Sequence, residues 1–230
     1  MAQPLCLEDF EAFARKSLSG LVYEYYRAGC YPEQTLGDNV QAFKRYRLRP
    51  KLLRDVSRRD LRTTILGQEI AFPIAVAPTA MQRMAHSDGE VATAKAVTSL
   101  GTGMVLSCVT TSTMEEVAEA SSPRGLRWAQ LHIFKDETLV RSIVRKAETN
   151  GYKALIVTVD SPIGRRSAGE SLKELPLHIR LAHFGGEKLS SGLTSLDNPK
   201  VTWSHIDWLS SITTLPIVLK GVLTGIKGQL

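Results

Sequence analysis

A chain of 230 residues with 43% hydrophobic content can bury a substantial core within one domain, yet it is slightly short of the roughly 250 residues usual for a whole eight-stranded β/α barrel. Its net charge of +6 comes from basic residues scattered through mixed-sign runs such as RKAETNGYK; this fits a solvated surface better than a nucleic-acid face and mildly favours an acidic small-molecule substrate. Cys6, Cys30 and Cys108 are odd in number and lack metal-type spacing, which points to a reducing compartment and no metal, and MAQPLCLEDFEAF carries acids where a secretory signal needs an apolar core.

Residues 7 to 47 read as helical: LEDFEAFARKSL, then LVYEYYRAG with Gly29 as its expected cap, then TLGDNVQAFKRYRL. Ile65 to Ile70, turning at Gly67, reads as a short hairpin closing the bottom of a barrel. Residues 1–70 are thus a helical prefix with a hairpin, and 71–225 the barrel part. Ala71 to Gln82, AFPIAVAPTAMQ, is expected to be the first buried parallel strand, opening at its C-terminal end into a loop. A helix over SDGEVATAKAVTSLG follows, with cap-type Ser87 and Asp88 at its start and Gly101 at its end. GMVLSC is the second strand, and Ser112-Thr113-Met114-Glu115 reads as a capping box opening the next helix. LRWAQLH, a helix TLVRSIVRKAETN capped by Asp136, and ALIVTVD continue the alternation. Ser161 to Val201 then interrupts it with a segment long enough to be a lid, before the helix WSHIDWLSSI and the strand PIVLKGV. Strands alternating with helices in this way predict an α/β fold, a TIM barrel with about five of its eight βα units.

Several strands end in residues with chemical reach: Ser107, Gln130 and His132, Thr158 and Asp160, and Lys220. Each has an ordinary reading as well. His132 can be a satisfied structural histidine, Asp160 a turn cap, Lys220 a snorkelling surface lysine, and Tyr25 in VYEYYRAG a packed helical aromatic. Gathered at the C-terminal ends of consecutive parallel strands, however, such residues mark the active face of a β/α barrel.

The stretches VYEYYRAG, LGDNVQAF, TTILGQEIAFPIAVAPTAMQRMAHSDGE, EEVAEA, LRWAQL, YKALIVTVDSP and LPIVLKG together resemble the FMN-dependent 2-hydroxyacid oxidases, the peroxisomal glycolate oxidases among them. The resemblance runs from about residue 5 to Gly225. It implies a TIM barrel with FMN across its C-terminal mouth: Pro78, Thr79 and Ala80 along the flavin, Ser107, Gln130 and Thr158 on the ring edge, and Lys220 beside N1 and the C2 carbonyl. It further implies that Tyr25 and Arg166, or its neighbour Arg165, meet the substrate carboxylate, and that Asp160 orients a catalytic histidine. The implied reaction takes a small (S)-2-hydroxyacid to the 2-oxoacid, with oxygen reduced to hydrogen peroxide, in a homo-oligomeric protein that needs neither membrane nor nucleic acid.

Three departures stand out. His132 occupies a position where tyrosine is usual in contact with substrate, so a phenol becomes an imidazole. Val109 stands where glycolate oxidases tend to carry tryptophan, which suggests longer hydroxyacids. Past Gly225, in a tail over 226–230, the resemblance stops before the family segments that carry the base histidine, a substrate arginine and the FMN-phosphate site. The chain alone is therefore expected to be catalytically silent, surviving by association with a full-length subunit or chaperone. The family's peroxisomal address is an SKL-type tripeptide, and Gly-Gln-Leu is not one, so cytoplasmic residence is the expectation here.

Overall fold

The computed structural model describes residues 4–161, 176, 178–184 and 198–225, which fall into two compact units, one of residues 4–59 and one made of the rest. Arg165 and Arg166, most of the predicted lid and the 226–230 tail lie outside the described residues.

The first unit is helical, as the periodicity predicts: α1 (Leu7–Ser17), α2 (Gly20–Arg27) and α3 (Gln34–Gln41), with a 3₁₀ turn at Ala42–Arg45. Ser19 caps α2 by accepting from the Val22 N–H. Buried Tyr23 locks α2 to α1, donating to Glu11 (2.8 Å) and accepting from Arg15 (3.0 Å). Contrary to expectation, the α2 cap is Ala28 in an extended conformation. Gly29 is small for a different reason: a Cβ there would sit 3.1 Å from Leu36.

The second unit opens with the predicted hairpin, β1 (Thr63–Ile65) against β2 (Gln68–Ile70), closed by Leu66 and Gly67, both at positive φ as a tight hairpin turn requires. Its main body is a parallel sheet in the order β3 (Gly103–Leu106), β4 (Leu126–Leu131), β5 (Leu155–Thr158) and β6 (Ile217–Lys220). The crossovers carry α5 (Met114–Ala120), α6 (Glu137–Thr149) and α7 (Trp203–Ser211), and α4 (Gly89–Ser99) precedes β3. Sequential parallel strands with intervening helices are consecutive units of a TIM-type barrel, four of whose strands lie among the described residues.

Strand alternation divides the side chains between two faces. Leu106, Ala129, Leu131, Leu155 and Val157 join Ala94, Val97, Val117, Ile143 and Val144 in the core between sheet and helices. On the opposite face Val105, Leu126, Trp128 and Ala154 pack beneath the hairpin's Ile70, so the hairpin covers the end of the sheet where the strands begin. Helix α6 shows why the local reading works: Asp136 accepts from the Thr138 and Leu139 N–H groups, Val140, Ile143, Val144 and Ala147 form one buried face, and Gly151 (φ 71°) ends the turn beyond.

Two expectations are corrected. Ala71–Gln82 forms no continuous or buried strand; it pairs with β3 through a single bridge, Val76 to Met104, and Ile74 is 68% exposed. Pro73 and Pro78 have no N–H to offer a ladder, and the segment is anchored from one side by Ala71 N–H to Gly101 (2.8 Å), Val76 N–H to Gly103 (3.0 Å) and the Thr102 hydroxyl to the Ile74 carbonyl. The capping box of α5 is Thr113 with Glu116, one residue beyond the predicted pair: Thr113 Oγ1 accepts from the Glu116 N–H (3.1 Å) and Glu116 accepts from the Thr113 N–H (2.7 Å). Ser112 is buried and engaged elsewhere.

Candidate active site

The register of the sheet creates the site. Val105 lies opposite Trp128, Gln130 opposite Ile156 and Thr158 opposite Lys220, so Ser107, Gln130, Thr158 and Lys220 step across the helix-free face at the ends of successive strands. Ser107 and Gln130 are buried, and their hydrogen bonds form a chain. Gln130 Oε1 accepts from the Cys108 N–H (2.9 Å) and the Ser107 hydroxyl (3.4 Å), while Ser107 Oγ accepts from the Val109 N–H (3.1 Å). Gln130 Nε2 donates to Thr158 Oγ1 (3.1 Å). With both lone-pair sites of its carbonyl taken, Gln130 cannot rotate without stranding a buried donor.

The row becomes wetter toward β6. Lys220 Nζ lies 3.9 Å from Asp160 Oδ2, with both side chains more than 40% exposed, a separation and exposure at which an ion pair orients more than it stabilises. Asp160 is seated against Gly221, whose φ of 107° turns the chain sharply after β6. His132 and Thr158 line a pocket of about 480 Å³ whose wall also includes Val159, Asn198, Thr202 and Leu219. Among the described residues, a second Gln130 amide N–H and the Thr158 hydroxyl make no further hydrogen bond, and the Lys220 ammonium is held only by the long Asp160 contact, so all three can face a ligand. Donors in a row ending in a cation fit the acceptor-bearing edge of a flat heterocycle that gains negative charge on reduction.

Thr79 reaches this region through its loop. The Met81 N–H donates to the Val109 carbonyl (3.0 Å), and the Thr79 carbonyl accepts from Gln82 Nε2 (3.3 Å). Thr79 is exposed, and Pro78 and Ala80 are half-buried on either side of it. The structure therefore brings together Ser107, Gln130, Thr158, Asp160 and Lys220, with His132 at the adjoining pocket. Tyr25 belongs to the other unit, where its ring packs edge-on against Tyr26 at 5.1 Å.

A model of the FMN-dependent dehydrogenase family matches residues 14–227. The chain belongs to that family. Human 2-hydroxyacid oxidase 1 is 46% identical over 237 residues, covering 96% of this chain and 64% of the relative. Glycolate oxidase 1 of Zea mays is 46% identical over 229 residues, covering 94% of this chain and 62% of the relative. A mandelate oxidase variant solved with a C4a-OH-FMN adduct superposes with a TM-score of 0.83 at 32% identity, covering 94% of this chain and 62% of that one. The chain thus spans just under two thirds of the length of these relatives. Among the described residues no helix is long and apolar enough to cross a membrane.

Two residues of this family member escaped the sequence reading. Glu90, in the first turn of α4, is fully buried and holds two loops, although an acid at that position looks like ordinary helix-dipole compensation. Gly221 follows a strand-ending lysine, and that glycine was the available signal.

Proposed function

We propose that this chain supplies the ring-binding face of an FMN-dependent oxidase that converts small (S)-2-hydroxyacids to 2-oxoacids, oxygen being reduced to hydrogen peroxide. The observation that carries the reading is the continuous row Ser107–Gln130–Thr158–Lys220 on one face of the sheet. Bound there, FMN would supply the two-electron acceptor needed as the substrate's C–H and O–H bonds give way to C=O, with oxygen as the final acceptor. Ser107, Gln130 and Thr158 hold the ring edge in one orientation, with Pro78, Thr79 and Ala80 along its face. Lys220 places positive charge where negative charge develops, an effect that grows as water leaves the site. His132 stands where it can donate to the substrate, and Val109 leaves room for a side chain larger than that of glycolate. The assignment of Tyr25 and Arg166 to the substrate carboxylate rests on the family resemblance alone.

A second reading is that the chain holds flavin without turning substrate over, and oxidises hydroxyacid only when joined to a full-length subunit. It is favoured by Asp160, the family's carboxylate for orienting a histidine base, which here makes its ion pair with Lys220.

Titration with FMN followed by anaerobic addition of glycolate, lactate and a longer 2-hydroxyacid tests both. Quenching of flavin fluorescence, with a Kd raised about tenfold or more in Lys220→Met, is the expected result for loss of a charge-assisted contact. A chain that leaves free FMN fully fluorescent overturns the ring-binding assignment. Bound flavin that no hydroxyacid bleaches establishes the second reading over the first.

A further inference from the structure

We propose that Glu90 is a positioning residue that sets the spacing between the two loops assigned to FMN, a role that rests on the flavin reading above. Its carboxylate receives four neutral donors from two separate segments. Oε1 accepts from the Gln82 N–H (3.1 Å) and the Thr111 N–H (2.9 Å), and Oε2 from the hydroxyls of Thr111 (2.7 Å) and Ser112 (2.9 Å). Gln82 belongs to the loop that carries Pro78, Thr79 and Ala80; Thr111 and Ser112 belong to the loop that begins at Ser107.

The ties continue to the proposed contacts themselves. Gln82 Oε1 accepts from Thr93 of α4 (2.6 Å) while Gln82 Nε2 holds the Thr79 carbonyl, and the Arg83 N–H donates to Thr111 Oγ1 (3.1 Å). On the other side Val109 links the Met81 N–H to Ser107 Oγ. Gly89 is required beside the carboxylate: its φ is 51°, and a Cβ would lie 2.5 Å from Arg83 Cγ.

A buried carboxylate with no cation paired to it among the described residues is a poor way to gain stability, since an apolar contact of the same volume avoids the desolvation cost. What it provides instead is direction. Four charge-assisted bonds to two loops fix their separation by directional contacts, which non-directional apolar packing does not do. Burial alone would raise the Glu90 pKa, but the donors from Thr111 and Ser112 outweigh it and hold the carboxyl below the usual range, so the acceptor is ionised at neutral pH.

The chemistry predicts an unusual ranking of substitutions. In Glu90→Gln the amide oxygen still accepts from both N–H groups, and the amide NH₂ donates to hydroxyl oxygens that retain lone pairs, so both ties survive. Glu90→Ala deletes them. Amide exchange and FMN titration on the whole chain, in wild type, Glu90→Gln, Glu90→Ala and Val117→Ala as a core variant of comparable destabilisation, decide the matter. Glu90→Ala should lose protection in segments 79–84 and 108–112 but not in α6, and weaken FMN binding about tenfold with an altered flavin band shape, while Glu90→Gln stays within about threefold of wild type. Val117→Ala should leave both loops and the flavin unaffected.

Wild-type protection and affinity in Glu90→Ala, or equal losses in Val117→Ala, overturn the inference. If wild type takes up no FMN, the flavin reading fails and loop exchange alone judges the positioning role. If Glu90→Ala does not fold, Thr111→Val takes its place: it removes the hydroxyl that joins Glu90 Oε2 to the Arg83 N–H, and should loosen 82–84 and weaken FMN severalfold, and no change in either refutes the link.

Discussion

Gly221→Ala lowers the unfolding free energy by on the order of 3 kcal/mol, an expected result with two separable parts. At φ 107° the backbone after β6 is in a region that side chains rarely enter. The added Cβ would also lie 2.5 Å from Asp160 Cβ and Cγ and 2.7 Å from Oδ2, so the carboxylate has to leave its seat beside Lys220. Denaturant unfolding of Gly221→Ala, Asp160→Gly and the double variant separates the parts. The double variant should recover the steric share and retain the backbone share. Strictly additive losses would show that Asp160 does not press on Gly221.

Acidification produces the second large effect. His183 is 8% exposed, and neither ring nitrogen has a hydrogen-bond partner among the described residues. Burial, with a contribution from the Lys146 charge and against the opposing pull of Glu115, lowers its pKa to about 4 from an ordinary 6.5. The neutral ring is therefore the form the fold accepts. Above pH 6.5 the group is neutral whether the chain is folded or not and imposes no penalty. Between 6.5 and 4 the unfolded chain binds a proton that the folded one refuses, so stability falls with pH, by about 2 kcal/mol at pH 5. Urea midpoints between pH 7 and 5 should drop steeply in wild type and much less in His183→Leu. Parallel pH profiles would remove His183 from the account. Its segment makes the loss consequential, because the Ala182 N–H holds the Thr110 carbonyl (3.0 Å) and Phe184 packs edge-on against Phe134 at 5.7 Å.

Helix α6 was legible because every cue agreed: a capping aspartate, apolar residues three and four apart, and a terminal glycine. Ala71–Gln82 was not, since an apolar run with two prolines reads the same whether it joins a full ladder or a single bridge. The capping box slipped by one residue because Ser112-x-x-Glu115 and Thr113-x-x-Glu116 are equally good locally, and only the tertiary demand of Glu90 on Ser112 decides between them. At the site, the strand ends gathered Ser107, Gln130, Thr158 and Lys220 on one rim, and the register then puts them on one face of the sheet. The hydrogen-bond chain among them could not be seen, because it depends on the stagger between strands, which no single stretch encodes. Asp160 lies beside that row, and its pairing with Lys220 is a property of the folded register.

Trp128 occupies the same face as Gln130, two residues nearer the hairpin, in an apolar cluster where its indole N–H meets no acceptor among the described residues. An indole so placed emits at short wavelength. Trp203 and Trp208 both lie in α7, on the helical layer of the unit. A yellow ring resting on Gln130 would absorb that blue-shifted emission at close range, so the molecule carries its own optical gauge of occupancy, built into the floor beneath the row of donors.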